Sequence, residues 1–204
     1  MYNLDNVIGS FILLWAVIDP IGTIPVFISA TRGQTEAERK RTARIAATVA
    51  AGILLIFIIV GEILLLSLGV PLLAFQISGG IILFLFAISM IFGESKPEEE
   101  LRAVKKAEES AVFPLASPSI ASPGAIMAVV LLTENGRNSP TEQFVTTLIM
   151  LVVMIVTYLL MLCAGRIYQF IGDAGASVIS RVMGLILAAI AATHILEGLK
   201  AYFA

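Results

Sequence analysis

The sequence predicts an all-α polytopic membrane protein: six transmembrane helices in two three-helix repeats of inverted topology, with helices 1 and 4 discontinuous. Three observations predict it. Hydrophobic residues make up 58% of the 204 and charged residues only 14%, whereas about a quarter of a soluble domain is charged. The apolar residues fall into six runs, each matching the roughly 20 residues that a helix needs to cross a bilayer. The first and fourth runs are interrupted by proline and glycine in similar ways.

In chain order the spans are Leu4 to Ile28, Ile45 to Leu68, Leu72 to Phe92, Phe113 to Leu132, Phe144 to Ala164 and Val182 to Tyr202. The first begins almost at Met1 with no basic n-region and no small-x-small cleavage site, so it is expected to be mature protein. After it come Thr31 to Arg44, charged residues in which Thr35 and Glu38 have the spacing of a capping box that opens the second helix. Gly69-Val-Pro71 is a turn signal between spans two and three, and Gly172, Asp173 and Gly175 are another between five and six. Residues 93–112, with Pro97, Glu98 to Glu100 and Lys105-Lys106, form a polar loop too small for an enzymatic domain. The whole chain is therefore one transmembrane domain, 1–204, with repeat one at 1–92 and repeat two at 113–204.

The positive charges set an expected orientation. The connections after spans one, three and five hold Arg32, Arg39, Lys40, Arg41, Arg44, then Lys96, Arg102, Lys105, Lys106, then Arg166 and Arg181, which is all of the 13 Lys and Arg except Arg137 and Lys200. By the positive-inside rule these connections are cytoplasmic and both termini lie outside.

A shift of 102 residues lays Phe11 on Phe113, Gly22 on Gly124 and Thr31 on Thr133. A shift of 104 lays Gly61 on Gly165, Gly80 on Gly184, Ala87 on Ala191 and Ile91 on Ile195. Apolar identities arise easily in such a composition, so the glycines and the shared break carry the weight. Three spans per repeat is an odd number, so the second repeat would enter the membrane from the opposite side. Such folds place substrate where discontinuous helices meet near the midplane.

At the first break, Asp19-Pro-Ile-Gly22, Pro20 lacks an N–H and Gly22 gives the helix no support, so the backbone is expected to open. Groups freed there need partners that lipid does not offer and a bound polar solute does. The half-helix starting at Gly22-Thr23 suits a carboxylate at its positive end, and Asp19 with freed carbonyls suits an ammonium or a cation. Ser119, Ser122, Pro123 and Gly124 repeat the interruption without a carboxylate. The expected substrate-binding residues are thus Asp19, Pro20, Gly22, Thr23, Ser119, Ser122, Pro123 and Gly124. A carboxylate this deep is costly unless paired, protonated or wet, which favours a coupling role for Asp19; capping of the second half-helix is the competing role, and one residue can serve both.

His194, the single histidine, has two readings: an ion-coupling proton relay with Asp19, or, as the favoured one, a neutral imidazole bonded to a neighbouring helix or sitting near the outer interface. For Glu62 and Glu197 interfacial solvation is favoured, and for Gly79, Gly80 and Gly184 close helix packing. Gln76, Ser78, Ser89 and Thr157 are expected to make hydrogen bonds between helices. The lone Cys163 excludes an intrachain disulfide and a multi-cysteine metal site. No paired aspartates, Ser-His arrangement or His-Glu-x-x-His motif points to an enzyme, no Walker sequence points to ATP, and neither a metal, an organic cofactor nor a nucleic-acid partner is expected.

The Asp19-Pro-Ile-Gly-Thr-Ile-Pro25 run, the charged segment after span one and Phe-Pro-Leu-Ala-x-Pro-x-x-Ala-Ser-Pro-Gly-Ala-Ile at Phe113 to Ile126 resemble the MarC family, which includes SnatA-type small neutral amino acid transporters. The resemblance covers essentially the whole chain, with Ser122 standing where the family more often has glycine. It implies a six-span protein of the prokaryotic inner membrane that carries glycine- and alanine-like solutes, coupled to a proton or sodium gradient. The leading expectation is a secondary symporter working by alternating access; export of amino acids, other small metabolites or drugs is the alternative. Its partners would be the amino acid and the bilayer, with a homo-oligomer compatible with either reading.

Overall fold

The computed structural model describes residues 4–92, 111–136 and 138–203, and every regular element among them is helical. The cytoplasmic loop expected at 93–112 falls almost wholly outside the described residues, as does Arg137. We number the helices α1 (Leu4–Ile18), α2 (Thr23–Ala30), α3 (Glu36–Ser67), α4 (Leu72–Phe92), α5 (Pro123–Leu132), α6 (Pro140–Leu162) and α7 (Ala164–Phe203). Before α5 the segment Ala111–Ile120 winds irregularly: Phe113 and Ser117 are extended, and the Ser117–Pro118 peptide is cis.

Among the described residues five helices are long and apolar enough to cross a membrane: Asn6–Ala30, Glu36–Ser67, Leu72–Phe92, Pro140–Leu162 and Ser177–Phe203. Ala111–Ile120 and Pro123–Leu132, bent by 54° at their junction, make a sixth when taken as one broken span. The third span agrees with its sequence-based limits to the residue. The second helix begins at Glu36, nine residues ahead of its apolar span, because Thr35 and Glu38 form the expected capping box: the Thr35 N–H donates to Glu38 Oε2 at 2.7 Å and the Glu38 N–H to Thr35 Oγ1 at 3.4 Å. The charged residues that hydropathy sets aside are therefore helical. A second capping box, Ser139 with Glu142, starts α6 four residues before the apolar run. The turn expected between spans five and six narrows to Gly172, whose φ of 65° breaks α7 while Ala164 to Ile171 remain helical. Gly69, at φ 66°, makes the turn between α3 and α4.

The interrupted helices are the interior of the bundle. Two-thirds of the first span's apolar window is buried, against 17 to 39% in the other four. Around them α3, α4, α6 and α7 turn Ile56, Ile59, Ile63, Leu85, Ile155 and Leu185 outward, as a bilayer requires. Helix α4 packs along α7 more extensively than any other pair. Glycines set that distance. A Cβ on Gly80 would lie 2.6 Å from Ile195 Cγ1 and 3.1 Å from the Ala191 carbonyl; one on Gly184 would lie 3.0 Å from Ile91 Cγ1 and 3.0 Å from the Ala87 carbonyl. These contacts are reciprocal, because 80 and 184, 87 and 191, and 91 and 195 all differ by 104.

Candidate functional site where the two helix breaks meet

The first break is tighter than an opened helix. The Asp19 N–H still donates to the Trp15 carbonyl and the Thr23 N–H to the Asp19 carbonyl, each at 3.0 Å. The α-ladder thus steps across Pro20, and α1 and α2 stay one span. What changes is handedness: Asp19 has φ 47°, alone among described non-glycine residues, in a left-handed conformation that aspartate tolerates better than most. Its carbonyl also accepts from Thr23 Oγ1 at 3.0 Å, and its Oδ1 accepts the Gly22 N–H at 2.9 Å. Asp19, 2% exposed, therefore caps α2 from three residues upstream. Gly22 is required by that cap, because a Cβ there would occupy the space of the Asp19 carboxylate. Pro25 sits in the first turn of α2, where an amide N–H has no intrahelical duty.

At the second break the backbone does open. Ala121 N–H reaches back to the Ala116 carbonyl at 2.8 Å, and Ser122 is extended, with φ −69° and ψ 158°. Its Oγ accepts the Ala125 N–H at 3.1 Å, and Pro123 takes the first helical position, which its fixed φ suits. Both breaks thus hold a side-chain oxygen on a main-chain N–H where the second half-helix starts: Asp19 Oδ1 on that of Gly22, the N-cap residue of α2, and Ser122 Oγ, itself the N-cap of α5, on that of Ala125. Both short half-helices also end on a threonine: Thr31 Oγ1 donates to the Phe27 carbonyl at 2.7 Å and Thr133 Oγ1 to the Val129 carbonyl at 2.6 Å.

The breaks touch. Ser122 Oγ donates to the Val17 carbonyl, in the last turn of α1, at 3.4 Å. Ser119, Ile120, Ala121 and Ser122 are each no more than 2% exposed, and Ile18, Leu115 and Leu83 are fully buried around them. Gly124 lets α4 approach, since a Cβ there would lie 3.0 Å from Leu83 Cδ2. The junction is packed, with Pro123 at its exposed edge.

His194 is elsewhere. With Thr193 and Glu197 it lines a cavity of about 670 Å³ between α1, α6 and α7, together with Asn6, Ser10 and Thr146. The cavity reaches inward to Leu13, six residues before Asp19 or ~9 Å along the helix. The His194 carbonyl accepts from Gln76 Nε2 at 3.2 Å, which joins α4 to α7. Gln76 thereby makes the bond between helices expected of it, whereas Ser78, Ser89 and Thr157 donate to carbonyls of their own helices. Glu62 is more than solvated: its Oε2 accepts from the Asn135 backbone N–H at 2.8 Å and Nδ2 at 2.7 Å, tying α3 to the loop after α5. Sequence reasoning missed Glu134, 5% exposed just past the Thr133 cap. A carboxylate directly after an apolar half-helix, followed by Asn135-Gly136, was the available signal.

Residues 4–203 match the family model described as MarC family integral membrane protein. Similar proteins include the UPF0056 membrane protein of Methanocaldococcus jannaschii, 34% identical over 97% of this chain and 98% of its own length. A UPF0056 membrane protein of Buchnera aphidicola is 33% identical over 100% of this chain and 96% of its own. YvbG of Bacillus subtilis is 33% identical over 97% and 95%. No solved structure matches the chain.

Proposed function

This chain belongs to the MarC family of integral membrane proteins, and on that footing we propose that it is a secondary transporter of small neutral amino acids, of the glycine and alanine type. The observation that carries the reading is the bond from Ser122 Oγ to the Val17 carbonyl, which puts two interrupted helices end to end in the bundle interior. A purely structural bundle has no need of two such breaks. The second break opens the backbone ahead of the N-terminus of α5, and the first sets the Asp19 carboxylate two residues beyond Val17, so a helix N-terminus and a carboxylate serve the two ends of a zwitterion.

Two inverted repeats make up the transporter. In favour stand the reciprocal Gly80 and Gly184 contacts, the threonine ends of α2 and α5, and capping boxes at Thr35 and Ser139, again 104 residues apart. Alternating access then consists of moving the α1–α2 and Ala111–Leu132 elements against the α4–α7 pair, with Asp19, Pro20, Gly22, Thr23, Ser119, Ser122, Pro123 and Gly124 around the substrate. The cavity containing His194 is the vestibule on the side of the chain termini, which the positive-inside rule makes the outside. Asp19 takes the coupling proton or sodium ion, and His194 relays protons at the vestibule.

Proteoliposomes holding the purified protein should accumulate radiolabelled glycine or alanine under an imposed proton or sodium gradient, and preloaded vesicles should exchange it. No accumulation or exchange under either gradient would exclude the proposal.

A further inference from the structure

Helices α3 and α6 lie against each other; a groove runs along their seam, and a pocket follows it where the start of α3 meets the α6–α7 junction and Phe27 of α2. At the end where α3 begins, a cavity of about 630 Å³ is lined by Arg39, Lys40, Arg166, Gln34 and Gln169, with Glu36 as its one carboxylate. Glu36 is already committed, its Oε1 2.7 Å from Lys40 Nζ. Arg39 is held with its guanidinium carbon 5.9 Å from the centre of the Phe27 ring. The pocket therefore has an excess of positive charge, with two guanidinium groups able to clasp a phosphate.

One turn deeper the seam changes character. A groove of about 270 Å³ runs between Ala47, Thr48 and Ala51 of α3 and Leu151, Met154, Ile155 and Tyr158 of α6, with Arg44 at its mouth. It exists because small α3 residues face large α6 ones. Glu36, Lys40, Arg44, Thr48 and Ala51 follow one another at three- and four-residue steps, so pocket and groove share one face of α3. From Arg44 to Ala51 is ~10 Å of helix, within the ~15 Å that half of a hydrocarbon core spans.

A charged recess at the interface leading into an apolar channel at acyl depth has the chemistry of one ligand class. We propose that the α3–α6 seam binds an anionic phospholipid, its phosphate on Arg39, Lys40 and Arg166 and one acyl chain in the groove beside Ala47 and Ile155. Arg44 and Tyr158 mark the headgroup boundary between the two, as snorkelling cations and interfacial tyrosines do. This is the end where Arg32, Arg39, Lys40, Arg41 and Arg44 collect, hence the cytoplasmic leaflet by the positive-inside rule, and that leaflet attracts basic surfaces through its anionic lipids. The site is separate from the helix breaks and stands without the transport reading.

The test is native mass spectrometry of the full chain in mild detergent, titrated in parallel with phosphatidylglycerol, phosphatidylcholine and glycerol 3-phosphate. Phosphatidylglycerol should bind in preference to phosphatidylcholine, and glycerol 3-phosphate should not bind. The double variant Arg39→Gln, Arg166→Gln should weaken phosphatidylglycerol about thirtyfold, at the strength expected for two interfacial charges, while Arg39→Lys, Arg166→Lys retains most of it. Thr48→Phe, on the exposed wall of the groove, should reduce binding of phosphatidylglycerol with the charges intact. Equal binding of the two lipids, or unchanged binding in the glutamine double variant, would overturn the proposal. So would glycerol 3-phosphate binding as well as the lipid, which marks a soluble phosphate site, or a second protein chain found covering the seam.

Discussion

Ser122 Oγ donates to the Val17 carbonyl at 3.4 Å across 105 residues of sequence while accepting the Ala125 N–H at 3.1 Å. One hydroxyl thus starts a half-helix and joins the second break to the end of α1. Ser122→Ala removes both bonds. The loss of an N-cap costs about 1 kcal/mol, and the tie to Val17 adds about another. Thermal unfolding in detergent should fall accordingly. Ser122→Gly tolerates the cap position and should lose less than the alanine variant. An alanine variant as stable as the parent would show that neither bond contributes.

Gly22 and Gly52 offer a matched comparison. A Cβ on Gly22 would displace the Asp19 carboxylate from its cap, whereas Gly52, in the middle of α3, has nothing within 4 Å of a built Cβ. Gly52→Ala should stabilise by about 0.5–1 kcal/mol through helix propensity. Gly22→Ala should destabilise by about 2 kcal/mol or more, since it breaks a buried hydrogen bond and displaces the carboxyl group that accepts it, and should abolish the proposed transport. Similar melting temperatures for the two variants would refute this account of the Asp19-to-Gly22 turn.

Asp19→Asn separates capping from charge. The amide keeps an oxygen for the Gly22 N–H now bonded at 2.9 Å, and asparagine also tolerates a positive φ, so the fold should persist with a stability change under about 1 kcal/mol. If Asp19 takes the coupling ion, uptake by this variant should lose its response to an imposed proton or sodium gradient while exchange continues. Gradient-driven uptake identical to that of the parent would remove Asp19 from coupling and leave it a cap.

Gly80 and Gly184 should behave as a pair. Each built Cβ meets a carbonyl of the facing helix, Ala191 at 3.1 Å and Ala87 at 3.0 Å, and main chain cannot step aside as a flexible side chain does. Gly80→Ala and Gly184→Ala should each destabilise by about 1–3 kcal/mol through overpacking, with less than additive loss in the double variant, because once α4 and α7 have separated the second methyl costs less. Full additivity would argue that the two contacts are independent.

Much of this organisation is legible along the chain. Proline and glycine inside an apolar run are local faults with local causes, so the breaks at Asp19–Gly22 and Ser122–Gly124 are visible without a fold. The limits of α4 are as clear, because Pro71 precedes it and its apolar residues run without interruption. The start of α3 is marked by the capping-box spacing of Thr35 and Glu38, whereas the start of α6 at the Ser139–Glu142 box is not seen by a hydropathy count. Glu134 is marked in the sequence only by its place after an apolar half-helix, and its burial is not, since burial beyond a helix end depends on what the following loop folds over.

Composition and spacing alone determine that this is a multi-span helical membrane protein with two faulted helices, because bilayer thickness and the need to satisfy each N–H and C=O act on every segment separately. Only the tertiary structure decides that Asp19 turns left-handed and keeps its helix wound while Ser122 opens its own, that Ser122 meets Val17, and that α3 and α6 leave a basic pocket above an apolar groove. Those outcomes depend on distances between residues far apart in the chain, and it is the packing of small residues against large ones that sets them.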